Sequence, residues 1–395
     1  MKNIINYFKQ GGILFLILCI ALILNHRFGY ITIIGCFSIL VFGLVALKSK
    51  MDKGAWVILL YLLFYILFSY FSGFTYSLST LVLCAIAPFI FYQYGGKIVK
   101  DYKTENNILI AWLLIVFCYS IDIFYISIDN ILTTGQLINP NRTFSFTDDD
   151  SGSTAATLVG LHMAIGMVGL PMAIIVKNKI AKIAFFSLFL LSLIVTFSLL
   201  NRTGIVVAIL CFIIVIGCRS RKNLKIFISS IFIFSIVIAI LFYTNIISTD
   251  LISFYEERNV DAGTMGDRSY RWTDAIQNLF IHPFGWADGS TYFVHNMWLD
   301  VARISGIIPF ALLVYMAYDS FMKAFRLIKY HDNSLSYMML GLNVCFFASC
   351  FVEPIYGGTH FMLYCMLWGT ESALLKNKSN FNISGNSKTR KFIIP

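Results

Sequence analysis

Apolar runs of about 20 residues recur along the whole of this 395-residue chain, and each is long enough to cross a bilayer as a helix. A backbone polar group in the hydrocarbon finds no water, so spanning segments of this kind must be helical. Only 13% of the residues are charged, against about a quarter in soluble domains. The sequence therefore predicts an all-α, polytopic protein with a single integral membrane domain over residues 1–395.

Hydropathy divides the chain into about twelve transmembrane helices. We interpret the first as a retained span, because His26 and Arg27 follow it in place of a small-residue cleavage site. Most connections are short, but 244–295 forms a large extracytoplasmic loop between the ninth and tenth spans. The predicted spans are 11–25, 29–47, 55–74, 76–94, 107–127, 154–176, 182–200, 203–218, 224–243, 297–321, 335–352 and 355–374.

The basic residues separate cleanly across these spans. With both termini in the cytoplasm, 23 of the 30 basic residues lie inside, and the seven that lie outside are all arginine. This positive-inside pattern predicts a multi-pass membrane protein with both termini in the cytoplasm. The formal net charge of +10 therefore reflects the membrane topology and an attraction to anionic membrane lipid. We expect no nucleic-acid partner.

The large outer loop contains one amphipathic pattern. Trp272, Ala275, Ile276, Leu279 and Phe280 recur at helical spacing, which predicts a helix along the outer membrane surface that ends at His282-Pro283.

Four outer arginines are candidate substrate-binding residues. Arg268 and Arg271 fall on the first turns of the amphipathic helix, Arg202 lies in the tight turn SLLNRTG, and Arg142 lies in NPNRTF. Arginine matches phosphate oxygens with two parallel donors and stays charged. The alternatives are contacts with lipid phosphates for Arg268 and Arg271, and a snorkelling helix end for Arg202.

His295 and Asn296 follow the loop where the chain re-enters the membrane. A neutral imidazole there is a candidate catalytic base for a sugar hydroxyl, with Asn296 as a candidate substrate-binding residue. The alternative is a histidine hydrogen-bonded at a helix N-terminus, with Asn296 as its cap. Asp300 lies five residues on and does not face His295 well in a regular helix, so we do not expect the two to pair. His162 and His360 lie within spans, where packing or polar contacts are expected.

No chemistry in the chain calls for a metal or a cofactor. The nine cysteines fall in predicted spans or at their ends and show no zinc-like spacing. Arginines beside a histidine would suit a sugar carried on a lipid diphosphate, since the arginines could stabilise the leaving diphosphate without a metal.

These segments resemble the superfamily of O-antigen ligases and O-antigen or capsule polymerases of bacterial membranes. The resemblance implies a bacterial inner (plasma) membrane, with the active site on its outer side. HNMWLDVARISG fits its His-Asn pattern that ends at a glycine, SLLNRTG fits an arginine element at the start of a span, and RWTDAIQNLFIHPFGW fits a helix that leads to a Pro-x-Gly turn. The resemblance covers about residues 190–310 at the level of motifs. Pro309 stands where the ligase pattern has glycine, which favours a polymerase.

The resemblance implies inverting, metal-independent transfer of glycan from undecaprenyl diphosphate on the outer face. His295 would be the base, and Arg202 and Arg271 would bind the diphosphate. The partners would be the undecaprenyl-diphosphate-linked oligosaccharide, membrane lipid and a chain-length regulator protein. Two alternatives remain open: a ligase that moves glycan to lipid A-core, and a flippase or other transporter of lipid-linked oligosaccharide.

The topology is testable with fusion reporters placed after residues 150, 260 and 390. We expect the first two to report the outer side and the third the cytoplasm, because lysine and arginine set the orientation of short loops. A cytoplasmic signal after residue 260 would contradict the placement of the large loop.

Overall fold

In a computed structural model, the described residues form a helical bundle with one short β-hairpin. The residues described are 2–24, 51–73, 78–139, 143–145, 153–220, 268–287, 294–352 and 358–377. The second and ninth predicted spans lie outside them.

In the rest of the chain the helices overlap the predicted spans, although several helix ends differ from the predicted ones by seven to nine residues. They are α1 Lys2–Leu24, α2 Lys53–Phe71, α3 Leu78–Tyr102, α4 Glu105–Thr134, α5 Ala156–Gly166, α6 Gly169–Ile175, α7 Lys179–Ser198, α8 Arg202–Ser220, α9 Arg268–Ile281, α10 Met297–Ser305, α11 Ile307–Tyr330, α12 Ser334–Val352 and α13 Thr359–Lys376; strands β1 Thr143–Ser145 and β2 Ser153–Ala155 pair antiparallel.

Six of the described helices are long and apolar enough to cross a membrane, namely α2, α4, α7, α8, α11 and α12. The described part of the chain is therefore that of a membrane-embedded helical protein. Two predicted spans are each divided into two helices in the structure. The sixth is divided into α5 and α6, and the tenth into α10 and α11. Of the tenth, only α11, with 24 residues, qualifies as a candidate span.

The division between α10 and α11 falls at Gly306. Its φ is +77°, a region that side chains with a Cβ rarely adopt. A Cβ added there would lie 2.0 Å from the carbonyl oxygen of Pro283, and Ile307 N donates to that same oxygen at 3.0 Å. The turn after α9 therefore occupies the space beside Gly306, which ends α10.

Glycines let α3 and α13 approach closely. A Cβ on Gly95 would lie 2.1 Å from Met366 O, and a Cβ on Gly369 would lie 2.0 Å from Tyr92 O. Small residues at helix contacts are the usual means of association in membranes, where apolar side chains gain little by leaving lipid. Gly96 lies away from this close contact, because a Cβ added there would have only Ala373 Cβ within 4 Å, at 3.9 Å.

Polar side chains inside the bundle bond with one another. The Ser320 hydroxyl lies 2.7 Å from Asn343 Oδ1 and 2.7 Å from Glu371 Oε2, and Asn343 Nδ2 donates to Glu371 Oε1. All three residues are fully buried. Elsewhere, Ser349 Oγ lies 2.9 Å from His360 Nε2, and His162 stacks on Tyr119 with 4.1 Å between ring centroids. The predicted packing and polar contacts of His162 and His360 are confirmed.

The two ends of helix α2 show which parts of the chain lie at each end of the bundle. Its 19 residues rise about 28 Å, close to the thickness of the hydrocarbon core. Asp52 caps its first turn by accepting from Ala55 N at 3.0 Å. Just beyond its last turn, the Ser72 hydroxyl donates to Ile304 O at 2.6 Å. Helix α10 and Asp52 therefore lie at opposite ends of the bundle.

Substitution of Gly95 by alanine should destabilise the bundle, because the new methyl group meets the backbone of α13. Gly96→Ala is the matched control, since its methyl group has room and alanine favours a helix by about 1 kcal/mol over glycine. Thermal unfolding in detergent should give a lowered midpoint for Gly95→Ala alone. Equal midpoints for the two variants would contradict the close α3–α13 contact.

Candidate functional site

His295 has an unusual backbone conformation. Its φ is +58°, in the left-handed region where histidine is found more often than most residues with a Cβ. A left-handed residue costs about 1–2 kcal/mol, so neighbouring contacts must hold it there. The residue is half-buried, and its Nδ1 is shielded from solvent.

Asp300 holds the backbone on both sides of His295. Val294 N donates to Asp300 Oδ1 at 2.8 Å, and Asn296 N donates to Asp300 Oδ2 at 3.3 Å. One carboxylate thus bridges the two amides that flank the histidine, and this fixes the left-handed turn. Helical spacing predicts only whether two side chains meet, so it did not reveal this bridge between a side chain and the backbone. The signal was present as an acidic residue in the first turn of a helix that begins after Asn296.

The Asp300 carboxylate is itself buried, with 2% of the residue exposed. Arg303 Nε lies 3.9 Å from Asp300 Oδ1, and Arg303 is also 2% exposed. Removal of one partner of a buried ion pair leaves an uncompensated charge, so the two residues depend on each other.

Asn296 caps α10. Its Oδ1 accepts from Trp298 N and Leu299 N, each at 3.1 Å, and its Nδ2 donates to Phe351 O at 3.1 Å. The side chain is engaged at both ends, and only 3% of the residue is exposed. The alternative of a capping role is therefore confirmed, and Asn296 joins α10 to the end of α12.

The predicted amphipathic helix is present as α9 and packs against the turn at His295 and the start of α10. It ends at Ile281, directly before His282-Pro283, as the sequence predicts. Trp272 Nε1 donates to Val294 O at 3.1 Å. Arg271 directly precedes Trp272, and His295 directly follows Val294. Each of these two residues is therefore adjacent in sequence to one partner of this hydrogen bond.

The apolar stripe of α9 divides between two environments. Ala275 and Leu279 are buried, and Ala275 packs with Val294 and Leu299. Ile276 is 51% exposed and Phe280 is 73% exposed. A helix at a membrane surface would bury such side chains in lipid, so α9 has one edge against the protein and a second edge suited to the bilayer.

Aromatic rings enclose the junction on the α12 side. The Trp272 ring meets Phe351 edge-on with 5.2 Å between centroids, and Trp298 lies 6.1 Å from Phe351 and 5.0 Å from Phe347. Rings at these distances add about 0.5–1.5 kcal/mol per pair beyond burial. Helix α9, the histidine turn and the end of α12 therefore form one packed unit, here named the His295 junction (residues 268–287, 294–306 and 347–351).

The Pro-x-Gly turn completes this junction. Gly285 has φ +105°, and Trp286 N donates to Arg303 O at 2.7 Å. With the Pro283–Ile307 hydrogen bond, two backbone bonds join the turn to the α10–α11 break. The two sequence motifs RWTDAIQNLFIHPFGW and HNMWLDVARISG thus pack against each other.

Arg202 begins α8 at the same end of the bundle as the His295 junction. Helix α8 runs antiparallel to α12, since Cys211 Sγ contacts Gly341 O at 3.7 Å and Arg219 pairs with Asp332 at 2.8 Å. The start of α8 therefore lies towards Phe351, whose carbonyl accepts from Asn296. The side chain of Arg202 and the whole of Arg142 lie outside the described residues.

Arg268 and Arg271 both lie in the first turn of α9 and are half-buried. Of the predicted site residues, the structure thus brings Arg268, Arg271, His295 and Asn296 into one junction. In the described part of the chain, histidine, cysteine and carboxylate groups form no cluster of three or more that could hold a metal ion. No protein-family model matches the sequence, and no curated protein is significantly similar to it.

Replacement of Asp300 by asparagine should destabilise the protein by about 3–5 kcal/mol, because it leaves the buried Arg303 without its carboxylate partner and places an amide nitrogen against one of the two flanking N–H groups. Asp274→Asn is the matched control on α9: its Oδ1 accepts from Asn278 Nδ2 at 3.2 Å, and asparagine retains that acceptor. Chemical unfolding in detergent measures the difference. An Asp300→Asn variant as stable as Asp274→Asn would contradict the proposed bridge.

Proposed function

We propose that this protein is a glycosyltransferase that polymerises polysaccharide repeat units at the outer face of the membrane. The observation that carries the proposal is the hydrogen bond from Trp272 to Val294 O. Through it, a helix whose first turn holds two arginines is fixed beside a half-buried histidine. This supports the proposal, because arginines that could bind a diphosphate and a histidine that could accept a proton are carried on two joined segments.

His295 would act as the general base. Its imidazole accepts the proton of an acceptor-sugar hydroxyl as that oxygen attacks the anomeric carbon. The bond between that carbon and the lipid diphosphate breaks, and the diphosphate leaves with the electron pair. Attack on the face opposite the leaving group inverts the configuration at the anomeric carbon.

Arg268, Arg271 and Arg202 would bind the diphosphate. Its negative charge rises as the glycosidic bond breaks, and fixed guanidinium groups stabilise that charge without rearrangement. Asn296 and Asp300 would serve as positioning residues, since one caps α10 and the other fixes the turn at His295. The charge-based topology assigns this end of the bundle to the outer face, where sugar donors are carried on lipid.

Two features favour a polymerase over the alternatives. Pro309 occupies the first turn of α11, which is the position of the departure from the ligase pattern. Transport of a polar glycan would need polar groups free to line a path, whereas Ser320, Asn343 and Glu371 bond with one another in the interior. Polymerisation accordingly stays the leading function, with ligation to lipid A-core as its near alternative.

His295→Ala should reduce glycan transfer by at least 100-fold, since a positioned general base contributes about 10²–10⁴. His282→Ala is the matched control, because His282 is exposed just after α9 and the same chemical change there leaves the turn at His295 intact. Transfer is measured with purified protein and lipid-linked repeat units, at equal protein levels. Full activity of His295→Ala would exclude the catalytic role.

The same assay separates the candidate functions. Lipid-linked repeat units alone should give a ladder of products. Arg271→Lys should recover only part of the activity lost in Arg271→Ala, because lysine lacks the planar fork with which arginine contacts two phosphate oxygens. A product that forms only with added lipid A-core would indicate a ligase. Movement of intact donor across vesicles without any new glycosidic bond would indicate a transporter.

A further inference from the structure

A second polar site lies at the other end of the bundle, where α2 begins. A cleft of about 440 Å³ opens between the start of α2 and the C-terminal parts of α11 and α13. This volume falls in the range of small-ligand sites. Asp52 lines it, and α2 runs from Asp52 to the contact of Ser72 with α10. The cleft is therefore separated from the His295 junction by the length of a spanning helix.

One wall of the cleft is held rigidly. Lys323 Nζ lies 2.6 Å from Asp319 Oδ2, donates to Ser372 Oγ at 2.7 Å, and lies 4.7 Å from the centre of the Trp368 ring. Trp368 Nε1 donates to Asp319 Oδ2 at 2.8 Å. A lysine fixed by three neighbours loses little further conformational freedom when it meets a ligand.

The base of the cleft is equally well bonded. Tyr92 donates to Asp52 Oδ1 at 2.9 Å, and Lys376 forms an ion pair with the same carboxylate. Burial raises the pKa of Asp52, but Lys376, the Ala55 amide and Tyr92 outweigh burial, and the pKa is lowered overall. The Asp52 carboxylate is therefore an anion that is already bonded to Lys376, Tyr92 and the Ala55 amide.

The cleft has two more cations than anions. Lys53, Lys323, Arg326 and Lys376 line it with only Asp52 and Asp319, and those two carboxylates pair with Lys376 and Lys323. Lys53 and Arg326 are exposed, and within the described part of the chain no carboxylate forms an ion pair with either one. Two cations therefore face an open cleft of suitable size for a small anion.

Aromatic residues place the cleft at the level of lipid headgroups. Trp56, one turn into α2, is 57% exposed, and Tyr330, which lines the cleft, is 51% exposed. Exposed tryptophan and tyrosine at helix ends mark the interface between membrane and water. In the charge-based topology this end faces the cytoplasm, whose leaflet carries anionic lipids, and basic clefts between helices on that side bind their headgroups.

We infer that the cleft binds a phosphate group, with an anionic phospholipid of the surrounding leaflet as its first candidate source. Lys53 and Arg326 contact the phosphate oxygens, and Lys323, which is paired with Asp319, forms part of the same wall. This site is independent of glycan transfer, because it lies at the opposite end of α2.

The test is a titration of the purified full chain in detergent, with the thermal unfolding midpoint as readout, because a bound ligand stabilises the folded state. The probes are phosphatidylglycerol, phosphatidylcholine and inorganic phosphate. Phosphatidylglycerol should raise the midpoint saturably, and phosphatidylcholine should not. Arg326→Gln and Lys53→Gln should each weaken apparent binding by about fivefold, as expected for one charge near an anionic headgroup.

Lys329→Gln is the matched control, since Lys329 is exposed one turn along α11 and does not line the cleft. It should bind phosphatidylglycerol as the unaltered protein does. A shift with inorganic phosphate alone would assign the site to a soluble phosphate. If both probes shift the midpoint, the probe that binds more tightly identifies the source of the phosphate. No shift with either probe, or equal weakening by Lys329→Gln and Arg326→Gln, would overturn the inference.

Discussion

Two backbone N–H groups on either side of His295 donate to one buried carboxylate, and the geometry of the His295 junction depends on that bridge. Without Asp300, the left-handed turn at His295 would have no local compensation for its conformational cost. The turn directs Val294 O to Trp272 and brings Asn296 into position to cap α10. Docking of α9 and the start of α10 therefore follow from one interaction.

The helical architecture could be predicted well from sequence because lipid imposes a simple rule on apolar segments. Helix α9 was also predictable, since its stripe and its Pro283 stop are both local signals. The break at Gly306 was not, and the tenth span was predicted as one helix over 297–321. That break depends on the carbonyl of Pro283, which contacts Gly306 only after the chain has folded.

The candidate site was predictable in its residues and only partly in its roles. His295 and Arg271 stood out because a histidine and arginines are costly near a membrane and need a reason to be there. Asn296 was expected to bind substrate, but its amide is used within the protein. Asp300 was set aside, because helical spacing describes where side chains meet and does not describe a bond from a side chain to the backbone.

The cleft at the start of α2 was invisible in the sequence for a different reason. Its residues come from four separate segments, at 52–54, Tyr92, 315–330 and 368–376. Three of these segments resemble ordinary basic helix ends when each is considered alone. Only the fold brings Lys53 and Arg326 to one opening. The His295 junction and this cleft give the bundle two polar ends with different chemistry: the junction holds a candidate base, and the cleft holds four cations and two carboxylates.

The central claim is that α9 is held against the histidine turn, and cysteine cross-linking tests it most directly. In a chain whose native cysteines are replaced, Ala275→Cys and Leu299→Cys should cross-link rapidly with a short reagent, because both residues belong to one buried cluster. A pair that combines Phe280→Cys with Leu299→Cys should react slowly, since Phe280 faces away and is 73% exposed. Equal rates for the two pairs would contradict the docking of α9, and with it the proposed active site.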